Sequence, residues 1–229
     1  MTTRSTSARR RPGVDAWAGL GGVLYVVLFI VGAIVAFGGQ PDLDADPATV
    51  EAYFSDAGHR DRIVLGWILI GLGLFFFLWF LSSLRQALRR LDPGGFWTNL
   101  ASIGGVVYAA LSLASISLST GIKTMSDDTY RDTVYPELIH AANDAGYVMH
   151  ATGGVGAGAM MIGGSIAALR AGVIPAWLGW VGAVAGILAL GSIAFFPQFL
   201  IALWVLVAGV MLFLATPGSG RRLEDAVAR

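Results

Sequence analysis

The sequence predicts an all-α polytopic membrane protein, a bundle of six transmembrane helices with both termini in the cytoplasm. Hydrophobic residues make up 55% of the 229 residues. Charged residues make up only 13%, against roughly 25% in soluble domains. These polar residues are too few to cover the surface of a water-soluble domain. We therefore expect most of the protein surface to contact lipid. The spacing of the charges predicts the spans, and the distribution of arginine predicts the orientation.

Five segments of the chain carry no Asp, Glu, Lys or Arg, residues that cost several kcal/mol at the bilayer centre. They are residues 16–41, 63–84, 93–122, 145–169 and 171–220. Each of the first four holds one helix of ~20 apolar residues. The fifth is too long for one span, and Pro197 predicts a turn near residues 195–199. We therefore expect six spans, centred near residues 28, 74, 110, 157, 186 and 207.

The first span and the arginines set the expected topology. A signal peptide is the alternative for the first span, but its apolar stretch exceeds the ~7–15 residues of such a peptide, which favours an anchor. With six spans, eleven of the 15 basic residues fall on one side, which is therefore cytoplasmic. They are Arg4, Arg9, Arg10, Arg11, Arg85, Arg89, Arg90, Arg170, Arg221, Arg222 and Arg229. The predicted division is a basic tail 1–15, a membrane domain 16–216 with outer loops about 39–62 and 123–137, and a tail 217–229.

The first outer loop predicts a short amphipathic helix. Asp46 can cap it, Pro47 suits its first position, and Gly58 is expected to end it. One apolar stripe at helical spacing is formed by Val50, Tyr53, Phe54 and Ala57. Such a helix lies in the interface or covers the end of its own bundle, and partner recognition is the alternative. In the second loop, Pro136 is expected to open the fourth span.

The strongest polar cluster lies at the outer end of the fourth span, on one face of the predicted helix. Its members are His140, Asn143, Asp144, Tyr147 and His150. His140 and Asp144 have the i, i+4 spacing of two metal ligands, and His59 in the first loop is a third candidate ligand. A structural hydrogen-bond network is favoured over this metal site, and a ligand or ion pathway is the remaining alternative.

Small residues mark two further helix faces. Ser112, Ser115 and Ser119 share one face of the third span, where they either line a polar path or bond neighbouring helices. The small-xxx-small pairs are Gly154 with Gly158 in the fourth span and Gly182 with Gly186 in the fifth. Such pairs let helices approach closely, within the bundle first and in a dimer second.

Several classes of protein are excluded or disfavoured. The absence of cysteine excludes disulfides, cysteine-ligated metals and thiol nucleophiles. The formal net charge of +0 gives no indication of nucleic-acid binding. No predicted span centre holds an acidic or basic residue, which disfavours a proton-coupled carrier. The sequence indicates no cofactor.

The chain resembles the uncharacterised six-span membrane proteins of GC-rich bacteria that are classed as domains of unknown function. The resemblance rests on the Arg-Arg-Arg-Pro-Gly start, Ala52-Tyr53-Phe54, Arg85-x3-Arg89-Arg90 and the Gly-rich fourth span, and it covers nearly the whole chain. It assigns no functional residue.

Three functions stay open from the sequence. The favoured one is a non-enzymatic structural or interaction protein of the bacterial cytoplasmic membrane, in contact with the lipid bilayer and with a second copy of itself or another membrane protein. The second is a small transporter or permease-like pathway along the serine face and His150. The third is an intramembrane metalloenzyme with an outward-facing His/Asp site.

Overall fold

The structure, a computed structural model, describes residues 19–42, 44–127, 133–194 and 197–214. In these ranges 85% of the residues are helical and none forms a strand. The helices are α1 (Leu20–Phe37), α2 (Pro47–Phe54), α3 (Ala57–Leu91), α4 (Phe96–Lys123), α5 (Pro136–Arg170), α6 (Ala176–Ala189) and α7 (Pro197–Leu214), with a 3-10 turn at Ser192–Ala194.

Helices α1, α3, α4, α5 and α7 are each long and apolar enough to cross a membrane. This confirms the prediction of an all-helical membrane protein at the level of five candidate spans. Helix α6 is apolar but has 14 residues, a length of about 21 Å against a bilayer core of ~30 Å. The sixth span and the orientation of the termini therefore stay predictions. The predicted tails 1–15 and 217–229 lie outside the described residues.

The six longer helices form a closed ring. Helix α1 packs against α3 and α7, and the chain of neighbours runs from α3 through α4, α5 and α6 to α7. The interior holds large apolar side chains, and Leu74, Phe77 and Phe80 of α3 are fully buried. Lipid-facing positions such as Ile34, Ile103 and Trp177 are exposed, as expected for helices whose outer surface contacts hydrocarbon rather than water.

Glycine lets neighbouring helices touch through their backbones. A Cβ atom on Gly156 of α5 would lie 2.6 Å from the carbonyl oxygen of Gly104 in α4. A Cβ atom on Gly158 would lie 2.6 Å from the carbonyl oxygen of Gly186 in α6. A Cβ atom on Gly154 would clash with Ser192, and a Cβ atom on Gly182 would clash with Ser165 of α5. All four glycines of the predicted small-xxx-small faces thus lie where α5 meets α6 or the 3-10 turn that follows it.

Helix α2 covers one end of the bundle. Asp46 accepts a hydrogen bond from the Thr49 backbone amide, and Pro47 is the first residue of the helix, as predicted. The prediction that Gly58 ends this helix is wrong. Helix α2 ends at Phe54, and Gly58 is the second residue of α3, because Asp56 caps a new helix through the His59 amide. Pro136 opens α5 as predicted.

Candidate functional site

Two tyrosine hydroxyls meet in the interior of the ring. Tyr25 of α1 and Tyr108 of α4 are each 2% exposed, and their hydroxyl oxygens lie 2.6 Å apart. A buried hydroxyl without a partner is costly, so this pair satisfies two groups that would otherwise lose hydrogen bonds on leaving water. The pair joins two helices that are not neighbours in the ring.

Polar side chains continue from Tyr108 towards His150. Ser112 lies one turn along α4 from Tyr108 and near its hydroxyl. The Ser112 Oγ atom also lies 3.1 Å from Nδ1 of His150 in α5. Gln198 at the start of α7 lies near the His150 ring. We call Tyr25, Tyr108, Ser112, His150 and Gln198 the His150 network; it connects four of the six ring helices.

Aromatic rings surround this network. The Phe29 ring stacks on His150 with centroids 5.9 Å apart and an interplanar angle of 21°. The Tyr108 ring lies 5.9 Å from His150 on another side. The Phe77 ring lies 5.0 Å from Tyr25 and 5.5 Å from Tyr108. The polar groups are therefore held in an apolar enclosure, where hydrogen bonds between them are stronger than in water.

Other residues of the predicted polar faces bond elsewhere. The Ser115 Oγ atom donates to the Gly146 carbonyl of α5 at 2.6 Å. Ser119 is buried. Tyr147 donates to the carbonyl of Ile193, and this bond fastens α5 to the turn after α6. Of the predicted serine and histidine face, the structure brings Ser112 and His150 together, while Ser115 and Tyr147 bond to backbone carbonyls.

The candidate metal ligands are not assembled. The His59 ring stacks on Tyr53 at 4.0 Å and hydrogen-bonds the Tyr53 carbonyl at 3.0 Å. Asp144 is exposed on α5, and His140 and Asn143 are partly exposed. Among the described residues no group of three or more His, Asp or Glu side chains is placed to hold a metal ion. His59 packs the α2 end of the bundle instead.

Two buried cations hold α2 in place. Arg60, 6% exposed, donates to the Phe54 carbonyl at 2.8 Å and to Asp127 at 2.5 Å. Lys123, 2% exposed, donates to Gln40 at 2.7 Å. The Lys123 ammonium also lies 6.0 Å from the Phe54 ring centroid, within the range of a cation–π contact. An apolar cluster of Val50, Phe54, Ile63 and Ile139 lies beneath them.

The Asp46 cap gives α2 a pH-dependent element. The side-chain hydroxyl and the backbone amide of Thr49 hydrogen-bond the carboxylate and lower the pKa of Asp46 below its ordinary value. A depressed pKa in the folded state stabilises the fold above the unfolded-state pKa. This contribution is lost as the pH falls through the lowered value, so the cap is complete at neutral pH.

A cleft of about 520 Å³ lies at the end of the bundle away from α2. Helices α3, α5, α6 and α7 form its walls, and the turn between α5 and α6 closes part of its end. The side chains around it are largely apolar, with Arg90 the charged residue in the lining. The His150 network is not part of this cleft, since none of its members is in the lining.

The family described as "Domain of unknown function (DUF4386)" matches residues 20–219 of the chain. The chain belongs to this family. The match covers every helix of the ring and confirms the resemblance to an uncharacterised family. No curated protein and no solved structure matches the chain. A site in this DUF4386 protein therefore has to be argued from its own residues.

The sequence did not indicate several of these residues. Tyr25 and Tyr108 are single tyrosines in apolar segments, where tyrosine usually indicates a position near the headgroups. Lys123 ends α4 and Gln40 follows α1, so only the tertiary structure brings them together. Gln198 follows Pro197 in the predicted turn, and its polarity there was the only available signal.

Proposed function

We propose that this DUF4386 protein is a non-enzymatic six-span protein of the bacterial cytoplasmic membrane that serves as a structural or interaction partner there. Both termini face the cytoplasm in this proposal. The observation that carries it is the pairing of the interior polar groups: Tyr25 with Tyr108, Ser112 with His150, and Ser115 with the Gly146 carbonyl. Groups bonded to one another between closely packed helices give solutes no polar path.

Cysteine accessibility tests this proposal directly, because the chain contains no cysteine and each substitution creates the sole thiol. The reagent is a charged maleimide that does not cross the membrane. We expect Ser112→Cys to stay unreactive in intact and in permeabilised cells. Labelling of Ser112→Cys from either side would reveal a water-filled route and overturn the closed bundle.

The same reagent tests the topology. Asp44→Cys, in the exposed loop before α2, should react in intact cells. Gly94→Cys, in the exposed turn between α3 and α4, should react only after permeabilisation. Gly191→Cys, in the exposed turn after α6, should react in intact cells if α6 completes a span. The reverse pattern at Asp44 and Gly94 would invert the orientation, and a Gly191→Cys that never reacts would reduce the count to five spans.

A transporter or permease-like pathway is the second candidate function, and the His150 network favours it. The network connects α1, α4, α5 and α7, and His150 is only partly buried. An ionisable residue in a membrane segment is a functional hypothesis in itself. Reaction of Ser112→Cys, slowed by substrate, is the result that would replace the structural function by this one.

A further inference from the structure

The cleft has the dimensions of a ligand site. Its volume of about 520 Å³ lies within the ~300–1,000 Å³ typical of small-molecule pockets. Its lining along α7 extends from Leu200 to Leu212, a length of about 18 Å at ~1.5 Å per residue. One leaflet of a bilayer core is about 15 Å deep, half of ~30 Å. The cleft is therefore about as long as one leaflet is deep.

The walls of the cleft leave no polar group available except at its end. Trp204 and Ser165 are both in the lining, and the Trp204 Nε1 atom donates to the Ser165 hydroxyl at 3.1 Å. The remaining surface comes from residues such as Leu88, Leu178 and Leu203. A ligand in the body of the cleft meets hydrocarbon, and it needs no hydrogen-bonding group there.

Arg90 gives the cleft one charged end. It lies in the last turn of α3, near the exposed Arg89. The two ion pairs within the described ranges are His59 with Asp56 and Arg60 with Asp127, so Arg90 pairs with no carboxylate there. A guanidinium presents a fork of donors that matches phosphate or carboxylate. The molecule that suits this site is long and apolar with an anionic group at one end.

We propose that the cleft binds an acyl chain of an anionic phospholipid, with the lipid phosphate on Arg90. Basic pockets between membrane helices on the cytoplasmic side bind anionic lipid head groups, and the topology proposed above places Arg90 on that side. This lipid site rests on the proposed function, because the proposed topology is what places Arg90 at the cytoplasmic surface. It deepens that function by naming an anionic lipid as one partner of the protein.

Lipid binding to the purified full-length protein in detergent tests the proposal. The protein is titrated with dioleoyl-phosphatidylglycerol or dioleoyl-phosphatidylcholine, and native mass spectrometry counts the bound lipids and yields a Kd for each. We expect tighter binding of phosphatidylglycerol. Arg90→Gln should weaken phosphatidylglycerol binding about fivefold, the effect of one cation near an anionic head group, and should weaken phosphatidylcholine binding less, because the choline cation offsets the charge of its phosphate.

Arg89→Gln is the matched control. It removes the same charge one residue away, but Arg89 does not line the cleft, so its Kd for phosphatidylglycerol should be that of the wild type. Ala168→Phe places a ring in the cleft and should weaken both lipids. If this variant does not fold, Ala87→Phe fills the cleft from α3 instead. Glycerol phosphate tests whether the head group alone is enough for binding. We expect it not to displace the bound lipid.

Three results would overturn the lipid site. They are equal affinity for the two lipids, equal losses in Arg89→Gln and Arg90→Gln, or full competition by glycerol phosphate. The titration is made in detergent and does not depend on topology. If the lipid titration fails while the cysteine labelling is as expected, only the lipid site is disproved. If the labelling pattern is abnormal while lipid binding is as expected, only the proposed topology is disproved.

Discussion

At the scale of single residues, a few buried polar atoms determine how the helices pack in the interior, because lipid offers them no hydrogen-bond partner. The Tyr25 and Tyr108 hydroxyls lie 2.6 Å apart, each buried. An unpaired hydroxyl in such a place costs about 1–3 kcal/mol, whereas replacing both members of a pair by apolar groups of similar shape is close to neutral. The pair is therefore a sensitive test of how the interior is held.

We expect Tyr108→Phe to destabilise the protein by about 1–3 kcal/mol, because it leaves the Tyr25 hydroxyl buried without a partner. Tyr25→Phe should cost less, since Tyr108 keeps Ser112 within reach. The double variant Tyr25→Phe/Tyr108→Phe should be more stable than Tyr108→Phe alone. Unfolding of the four proteins in detergent measures the cycle. Additive losses would mean that the two hydroxyls do not interact.

At the scale of elements, α5 organises the bundle because its small residues allow contact on two sides. Gly156 meets the backbone of α4, and Gly158 meets the backbone of α6. No hydrophobic effect drives helices together in lipid, so close packing and short contacts take its place. A single added methyl group at such a position has no space.

Gly158→Ala tests this contact. Its Cβ atom would lie 2.6 Å from the Gly186 carbonyl oxygen, a backbone atom that cannot move alone, and we expect a loss of about 1–3 kcal/mol in the free energy of unfolding. Gly71→Ala is the control, because a Cβ atom there meets nothing within 4 Å. The control should be neutral or more stable, since alanine favours helix. Equal stability of both variants would contradict tight packing of α5 on α6.

At the scale of the whole molecule, the ring closes through α1 and α7, the first and last of its helices. A Cβ atom on Gly209 of α7 would lie 2.9 Å from the Gly19 carbonyl oxygen and 3.3 Å from the Gly22 Cα. The closed ring encloses two different environments, the His150 network with its aromatic rings and the apolar cleft beside Arg90. Both depend on helices that are far apart in the sequence.

Gly209→Leu should open this closure and lower the Tm by roughly 2–12 °C, from a loss of ~1–3 kcal/mol at about 2–4 °C per kcal/mol. The neighbouring Val210→Leu is the control, since Val210 is 39% exposed on the outside of the bundle. Its Tm should stay within about 2 °C of the wild type. Unfolding is followed by circular dichroism in detergent. An unchanged Tm for Gly209→Leu would show that α1 and α7 do not hold the ring together.

The sequence alone predicted much of the architecture. Charges are too costly in hydrocarbon to be placed anywhere but at helix ends, so charge-free runs predicted the five candidate spans and an apolar helix at α6, which was expected to be a sixth span. Local signals were equally informative where one residue controls a helix end, as at Asp46, Pro47 and Pro136. The prediction at Gly58 was wrong because Asp56, two residues earlier, caps a new helix that includes Gly58.

The tertiary structure decided what these helices bring together. The sequence placed Ser112 and His150 on polar faces of two different helices, but it did not show that the two side chains meet, or that Phe29 of α1 and Gln198 of α7 lie beside His150. Helical spacing describes one helix at a time. Tyr25, Tyr108 and Lys123 carry no local signal of burial, because a polar residue is buried only when distant residues satisfy it. The cleft beside Arg90 likewise exists only between four packed helices. Spans follow from the energetics of each segment in lipid, whereas sites follow from which faces meet.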